Sequence, residues 1–237
     1  MKKIMSIAGL VAAFLLSCSV WAGEAEVRKV AQSFVGDQVQ IDGVRKTNML
    51  GLYEIQIGPD VYYMDEKGAY FIEGQIIDVK NKRNLTAERK NKLAQINFSD
   101  LPLGLAIKQV RGNGKRVFAT FEDPNCGYCK RLAKDLQGMT DVTIYTFIYP
   151  ILAQDSVDKA RNIMCSPNQA KAWNDWMLNG VVPPTLKCDI SPEKVVALGQ
   201  KLNVRGTPNI FLADGSRIGG AVPAAELEKQ LNAVAQK

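Results

Sequence analysis

The sequence predicts two folded parts, a small α+β module followed by an α/β domain that carries a helical insertion. Two observations support this prediction. Short runs rich in β-branched and aromatic residues, separated by turn residues, fill positions 39–79 and are typical of an antiparallel sheet. From about residue 101 onward, strand patterns alternate with helical patterns, as they do in α/β domains. Between the two parts, residues 84–100 are largely polar and predict an exposed linker helix.

The first 22 residues have the features of a secretory signal peptide. A short basic start, Met1-Lys2-Lys3, precedes an apolar stretch at 4–16 and small residues before a cleavage point after Ala22. The apolar stretch is too short for a transmembrane helix, so we expect an exported chain. Cys18 follows Leu-Leu-Ser, which is similar to a lipoprotein signal, but the cleavage point after Ala22 fits its own pattern better.

The cysteine count, the net charge and the lack of histidine exclude several classes of function. Cleavage after Ala22 removes one of the 5 cysteines and leaves four, an even number in an oxidising compartment. It also removes Lys2 and Lys3, which lowers the formal charge from +6 to +4. This mild, dispersed charge argues against nucleic-acid binding. Because the chain contains 0 histidines, serine–histidine catalysis, cysteine–histidine catalysis and histidine-bound metals are excluded.

In the first part, helical spacing predicts one short helix, and turn signals separate four strands. The predicted helix spans 24–34, and the predicted strands span 39–47, 50–57, 61–64 and 69–79. Thr86 is a suitable N-cap for the linker helix that follows. We therefore expect a domain over 23–83, the linker over 84–100 and a second domain over 101–237.

The second part has the pattern of strand, helix, strand, helical insertion, two strands and a final helix. Asn125 and Gly138 are suitable as the N-cap and the C-terminal stop of its first helix. The helical insertion covers about 152–203, and Ser191-Pro192 marks the start of its last helix. The strands are predicted at 116–121, 141–148 and 209–212, with a short fourth strand after Gly215, and the final helix places Leu227, Leu231 and Val234 on one face.

The pair Cys126-Gly127-Tyr128-Cys129 opens the first helix of the second part. A sulfur in the first turn of a helix faces unpaired backbone N–H groups and the positive end of the helix dipole, which stabilise a thiolate. Because the thiolate attacks disulfides, Cys126 is the candidate nucleophile, and Cys129 is the candidate for releasing a mixed disulfide. A purely structural disulfide, or half of a zinc site, remains open as an alternative. The zinc site would need Cys165 and Cys188 as its other ligands.

Thr207-Pro208 stands immediately before the third predicted strand of the second part. Alone, this pair predicts an ordinary turn. Together with the upstream cysteines, it is similar to the cis-proline loop of thioredoxin folds, which packs beside the cysteines. Such a loop leaves the backbone of Thr207 free to pair with an extended substrate segment. Gly127 and Tyr128, between the cysteines, are expected to tune the redox balance.

Three further side chains have two interpretations each. Asp123 lies close to the cysteine pair and is either a turn residue or a group that influences proton transfer. Trp173 and Trp176 share one helix face, which predicts core residues rather than a platform for a ligand.

These motifs resemble the DsbC/DsbG family of periplasmic disulfide isomerases over nearly all of the mature chain. The matching segments are Phe-Glu-Asp-Pro-Asn-Cys-Gly-Tyr-Cys at 121–129, Gly-Thr-Pro at 206–208, and Tyr-Phe-Ile-Glu-Gly-Gln-Ile-Ile-Asp-Val at 70–79. Cys-Gly-Tyr-Cys is closer to the isomerases than to the Cys-Pro-Tyr-Cys of DsbG. Pro124-Asn125 before the pair, and Lys130 where a histidine is familiar, depart from the family pattern. They could alter redox potential or substrate choice.

The resemblance implies a fold, partners and an activity. It implies an N-terminal dimerisation domain, a thioredoxin-like catalytic domain, a homodimer, and a structural disulfide between Cys165 and Cys188. Reduced Cys126 would attack wrong disulfides in misfolded exported proteins of the periplasm. A membrane reductant of the DsbD type would restore the dithiol, and an apolar cleft would provide chaperone activity. We expect no cofactor, no metal and no nucleic-acid partner.

Three alternatives to an isomerase stay open at this point. A DsbG-like reductase of oxidised single cysteines would use the same two thiols. A DsbA-like oxidase would also use them, but with the pair resting as a disulfide. A dimeric holdase chaperone would bind unfolded chains with little contribution from the cysteines.

Overall fold

The computed structural model describes residues 19–235, with side chains from residue 23 onward. Residues 1–18 and 236–237 lie outside the described part, so the predicted signal peptide at 1–22 falls almost entirely outside it. The chain divides into two compact units between Lys90 and Asn91. Within the described part, no helix combines the length and the apolar character that crossing a membrane requires.

The first unit packs a helix against an antiparallel sheet. Its elements are α1 (Ser19–Val35), β1 (Gly43–Lys46), β2 (Leu52–Ile57), β3 (Asp60–Asp65), β4 (Phe71–Ile72), β5 (Ile77–Asp78), β6 (Arg83–Asn84) and α2 (Leu85–Leu93), which crosses the division. The four-stranded sheet has the order β1-β2-β3-β4, and β5 pairs with β6. Val27 and Ala31 of α1 pack with Tyr53 and Ile55 of β2. These spacings, four residues in a helix and two in a strand, place each pair on one face.

The strand boundaries of this unit differ from the prediction. Of the strand predicted at 39–47, only β1 forms, and the strand predicted at 69–79 is divided into the two short strands β4 and β5. The division includes Gly74, a residue type that weakens a strand because it has no side chain to pack. β6 is absent from the predicted strands because it has only two residues and pairs only with β5.

The predicted linker helix at 84–100 is shorter in the structure. α2 ends at Leu93, and a 3₁₀ turn occupies Phe98–Asp100. Between them, the N–H of Ile96 donates to the carbonyl oxygen of Gly215 at 3.1 Å instead of continuing the helix. A contact from distant sequence therefore ends the helix, which local sequence cannot indicate.

The N-cap of α2 also differs from the prediction. Thr86 is buried inside the first turn, where its hydroxyl forms a 2.6 Å hydrogen bond with the hydroxyl of Tyr63. The side chain of Asn84 caps the helix instead, because its Oδ1 accepts from the N–H of Ala87 at 2.9 Å. Thr86 is thus part of the core of the first unit.

The second unit is an α/β domain, as predicted. Its elements are β7 (Ile107–Arg111), β8 (Arg116–Glu122), α3 (Gly127–Asp135), β9 (Val142–Ile148), α4 (Gln154–Met164), α5 (Gln169–Asn179), α6 (Pro192–Lys201), β10 (Asn209–Leu212), β11 (Arg217–Gly219) and α7 (Ala224–Ala235). The sheet has the order β11-β10-β8-β9-β7, and β8 and β9 are its parallel pair. On one face, Leu132 of α3 and Leu227 of α7 pack with Phe118. On the other face, Val195 of α6 packs with Phe121.

β7 is an edge strand that is missing from the sequence prediction. It pairs only with β9, in the antiparallel direction. Ile107 is buried, but Val110, the other apolar side chain of the strand, is 56% exposed. One buried residue among polar neighbours does not produce the alternation by which strands are recognised.

The helical insertion predicted at about 152–203 contains α4, α5 and α6, but also a non-helical stretch at 181–191. Gly180 ends α5 in the left-handed conformation, at a φ of 69°. Pro183 and Pro184 then prevent a new helix, because proline has no backbone N–H to donate. This stretch holds the second partner of a disulfide described below.

Candidate active site

Cys126 lies at the start of α3 and acts as its N-cap, a position that the sequence predicts for Asn125. Its backbone is extended, with φ −73° and ψ 118°. Its sulfur accepts a hydrogen bond from the backbone N–H of Cys129 at 3.4 Å. The sulfur therefore faces the amide groups that the first turn leaves unpaired, and such donors stabilise negative charge on it.

The Cys126 sulfur also contacts the loop that contains the Thr-Pro pair. Its S–H group donates to the backbone carbonyl oxygen of Thr207 at 3.3 Å, across a separation of 81 positions in the chain. The contact forms because β10 pairs with β8, which places Asn209 opposite Phe121. The peptide bond between Thr207 and Pro208 is cis. The fold thus brings together the two motifs that the sequence analysis singled out.

The two cysteines of the pair are both free thiols, but they differ in access to solvent. Cys126 is 5% exposed and Cys129 is 0% exposed, so only Cys126 can meet the sulfur of a substrate. Burial, and then the charge of Glu122, raises the pKa of Cys129 well above its ordinary value. Gly127 and Tyr128 lie between them on the surface, with Tyr128 66% exposed.

Asp123 organises the loops around the cysteine pair. It is fully buried, and its Oδ1 accepts from the N–H of Asn125 at 2.7 Å and from the hydroxyl of Ser156 at 2.9 Å. Its Oδ2 accepts from the N–H groups of Ile151 and Leu152, at 2.7 and 2.9 Å. Of the two roles that the sequence suggests, the hydrogen bonds support the structural one. Asp123 joins the loop before α3 to the segment between β9 and α4.

Trp176 is partly buried, whereas Trp173 is a core residue as predicted. The indole N–H of Trp176 donates to the carbonyl oxygen of Pro124 at 2.6 Å. The ammonium nitrogens of Lys130 and Lys159 lie 4.2 and 4.6 Å from the centre of its ring, within cation–π range. The predicted core role is therefore incomplete for Trp176, which also fixes the loop before the cysteine pair.

Glu122, at the end of β8, is a buried carboxyl group that the sequence analysis does not identify. It is 3% exposed, and its Oε2 has no hydrogen-bond partner among the described residues. Burial raises the pKa of Glu122 to about 8. No signal in the local sequence identifies it, because a glutamate at the end of a strand is ordinarily exposed.

Cys165 and Cys188 are joined by a disulfide with a Cα–Cα distance of 5.6 Å. The bond connects the end of α4 to the non-helical stretch at 181–191. It occupies both sulfurs that the zinc alternative requires as thiolate ligands. The structure therefore keeps this pair separate from the two free thiols at α3.

Comparison with known proteins agrees with this geometry. Residues 18–87 match the family described as disulfide bond isomerase protein N-terminal domain, and residues 103–235 match the thioredoxin-like domain family. A crystal structure of a disulfide interchange protein from Neisseria gonorrhoeae is 40% identical, with a TM-score of 0.56, and covers 58% of this chain and 100% of its own. The second unit is thus a thioredoxin-like domain.

Curated relatives extend the similarity to both parts of the chain. The probable thiol:disulfide interchange protein DsbC of Bordetella parapertussis is 50% identical over 208 residues, which are 88% of this chain and 74% of the relative. The thiol:disulfide interchange protein DsbC of Escherichia coli strain K12 is 26% identical over 236 residues, 98% of this chain and 96% of the relative. This chain belongs to the DsbC family of thiol:disulfide interchange proteins.

Proposed function

We propose that this chain is an exported protein disulfide isomerase in which Cys126 attacks the disulfides of substrate proteins. One observation supports the proposal most strongly. The Cys126 sulfur accepts the Cys129 N–H and also lies 3.3 Å from the Thr207 carbonyl oxygen, so the attacking atom adjoins a peptide-binding edge. Family membership supports the reaction class, and the signal-like residues 1–22 support export to the periplasm.

The reaction begins at the thiolate of Cys126. This sulfur attacks one sulfur of a substrate disulfide, a new S–S bond forms, and the other substrate sulfur leaves as a thiolate. A second substrate thiolate can then attack the mixed disulfide. This attack releases Cys126 as a free thiolate and leaves the substrate with a different pair of cysteines joined. The net result is isomerisation, because as many disulfides form as break.

Cys129 provides a second outcome of the reaction, which is reduction of the substrate. It is fully buried behind Cys126, so it attacks the mixed disulfide from inside the protein rather than the substrate. Its attack closes the Cys126–Cys129 bond and releases the substrate as a thiolate. The substrate is then reduced and the pair oxidised, and we propose that a membrane reductant of the DsbD type restores the dithiol.

Thr207 supports substrate binding next to the reacting sulfur. Its carbonyl oxygen can accept an N–H from an extended substrate segment, as in the addition of a strand to a sheet edge. Gly127 and Tyr128 line the solvent side of the pair and shape access to it.

We also propose a domain organisation for the chain. It has a dimerisation domain over 23–83, a linker over 84–100 and a catalytic domain over 101–237, with its insertion at about 152–203. Exposed apolar side chains in the segment at 70–79 of the first unit support a homodimer. Tyr70, Ile77 and Val79 are 71%, 49% and 83% exposed, an exposure that is typical of interfaces between proteins.

Replacement of the attacking sulfur tests the function. Mature Cys126→Ala should fail to reactivate ribonuclease with scrambled disulfides, while it still suppresses aggregation of an unfolded protein. Cys165→Ala with Cys188→Ala is the control and should retain reactivation. If Cys126→Ala reactivates ribonuclease as well as the wild type does, the isomerase proposal fails and the holdase alternative gains.

A further inference from the structure

Arg217 is a partly buried arginine of β11 to which the exchange reaction above assigns no role. It pairs with Phe211 of β10, so the two side chains lie on one face of the sheet, and its Cζ is 5.3 Å from the centre of the Phe211 ring. Phe211 packs in one cluster with Val195, so the guanidinium is on the face that α6 covers. Burial, and then the charge of Arg205, lowers the pKa of Arg217. Such a cation is costly to bury unless hydrogen bonds compensate it.

The hydrogen bonds of Arg217 join the two ends of the Thr-Pro loop, the residues 203–208 that connect α6 to β10. At the start of this loop, the guanidinium donates to the carbonyl oxygens of Leu202 and Asn203, at 3.2 and 2.9 Å. At its end, Nε donates to Oδ1 of Asn209 at 2.7 Å. A guanidinium can make these bonds together because it is planar and has five N–H donors. One side chain therefore closes the loop at its base.

The start of the Thr-Pro loop requires support from outside the loop. Asn203 has a φ of 53°, in the left-handed region that residues other than glycine rarely adopt. The last carbonyl groups of a helix have no partner within it, and a cation near them is favourable because the C-terminal end of a helix is negative. Arg217 supplies both donors and charge at the end of α6. It therefore fixes the turn by which the chain leaves that helix.

The Thr-Pro loop carries the carbonyl group that contacts the nucleophile. The carbonyl oxygen of Thr207 lies 3.3 Å from the Cys126 sulfur. Nearer the start of the loop, the hydroxyl of Tyr149 donates to the carbonyl oxygen of Val204 at 3.0 Å. The place of the Thr207 carbonyl group thus depends on how the loop is anchored on either side of it, and Arg217 bonds to residues at both ends.

We propose that Arg217 is a positioning residue for disulfide exchange with protein substrates. This inference rests on the proposed function and assigns a residue to its binding edge. By joining the two ends of the Thr-Pro loop, Arg217 holds the Thr207 carbonyl oxygen where an extended substrate segment pairs with it, beside the Cys126 sulfur. Loss of Arg217 should therefore slow the reaction with a disulfide that belongs to a peptide. It should spare the reaction with a disulfide that has no peptide backbone.

The test compares two substrates that share one leaving group. In the first, the cysteine of an extended peptide is joined by a disulfide to nitrothiobenzoate. In the second, mercaptoethanol, which has no peptide bond, is joined to the same group. Each full-length mature protein carries Cys129→Ala, so only the attack of Cys126 is observed. That attack forms an S–S bond between Cys126 and the substrate sulfur and releases a coloured nitrothiobenzoate anion, whose appearance in a stopped-flow instrument gives the rate constant.

Arg217→Gln should lower the rate constant for the peptide about tenfold, which corresponds to about 1.4 kcal/mol, the contribution of about one hydrogen bond. It should leave the rate constant for the mercaptoethanol substrate nearly unchanged. Arg116→Gln is the matched control. Arg116 also donates to two backbone carbonyl oxygens and one asparagine Oδ1, but it lies at the start of β8, whereas the cysteine pair follows the end of that strand. Its replacement should not lower the rate constant for the peptide relative to that for mercaptoethanol.

The ratio of the two rate constants separates positioning from a purely structural role, because a general loss of folded protein slows both substrates alike. An unchanged ratio in Arg217→Gln overturns the proposal, and so does an equal fall of the ratio in Arg116→Gln. If the protein with Arg217 intact releases no anion from either substrate, the proposed function itself fails. Should Arg217→Gln not fold, Arg217→Lys replaces it. Its ammonium group keeps the charge but cannot bond to both ends of the loop, so the ratio should fall again, and an unchanged ratio contradicts the role of Arg217.

Discussion

The sulfur of Cys126 lies 3.3 Å from the backbone carbonyl oxygen of Thr207, although 81 positions separate the two residues. This contact joins the start of a helix, where unpaired backbone N–H groups favour a thiolate, to the loop that we propose as the binding edge for an extended peptide. In the proposed function, the attacking sulfur and the binding edge for its substrate therefore meet at one point. The pairing of β8 with β10 creates this arrangement, so the sheet is as much a part of the site as the cysteines.

Asp123 should be essential to the stability of the catalytic domain. Asp123→Asn replaces one acceptor oxygen with an NH₂ group that faces hydrogen-bond donors, so at least one bond to a charged acceptor is lost and a donor remains buried. We expect the free energy of unfolding to fall by about 3 kcal/mol, measured by urea denaturation. Asp158→Asn, which removes an exposed ion pair with Arg161, should change it by less than about 0.5 kcal/mol. Equal effects of the two variants would contradict the role assigned to Asp123.

Glu122 should make the folded protein less stable as the pH rises. Its pKa is about 8 in the folded state and ordinarily 4.5, so folding favours its protonated form. The resulting stability is fully present below pH 4.5 and is lost as the pH rises through about 8. The difference corresponds to at most about 5 kcal/mol. The unfolding free energy of wild type should fall relative to that of Glu122→Gln between pH 5 and 9, and parallel curves would refute this.

The disulfide between Cys165 and Cys188 should stabilise the helical insertion without taking part in exchange. It closes a loop with a sequence separation of 23, and the chain-entropy estimate for such a loop is about 3 kcal/mol. Cys165→Ala with Cys188→Ala should lower the unfolding free energy by that amount and leave the rate of Cys126 attack unchanged. A slower attack with unchanged stability would instead indicate a second redox pair.

The exposed apolar residues of the first unit should hold the homodimer together. Val79→Lys places a charge on a side chain that is 83% exposed in the single chain, and should raise the dimer dissociation constant at least about tenfold in sedimentation experiments, because a buried unpaired charge is costly. Leu50→Lys is the control. Leu50 is 91% exposed but lies outside the segment at 70–79, so its replacement should leave the dimer intact. Equal dissociation of both variants contradicts the proposed interface.

The parts of the site that the sequence predicts are those that depend on local pattern. Cys126 and Cys129 follow an apolar strand and open a helix, so composition and spacing are sufficient to identify them. Thr207 is assigned to the site only because its Thr-Pro pair is similar to the cis-proline loop of thioredoxin folds. Asp123 was ambiguous because its hydrogen-bond donors, Ile151 and Leu152, come from a loop that is distant in sequence. The position of such a loop follows from tertiary packing.

Glu122 and β7 are missing from the prediction for a related reason. A glutamate at the end of a strand is ordinarily placed in solvent, and only the packing of α3 over β8 shows that Glu122 is buried. β7 exposes Val110 at the edge of the sheet, so its sequence lacks a clear alternation. Both features depend on neighbours that the local sequence does not specify.

The most direct test of the account is to identify the cysteine that becomes linked to a substrate. In the Cys129→Ala variant the mixed disulfide cannot be resolved from within the protein, so it should accumulate when the reduced variant meets a protein with scrambled disulfides. Peptide mapping by mass spectrometry under non-reducing conditions should place the substrate cysteine on Cys126. An adduct on Cys165 or Cys188, or no adduct at all, would contradict the central claim that Cys126 is the attacking thiol.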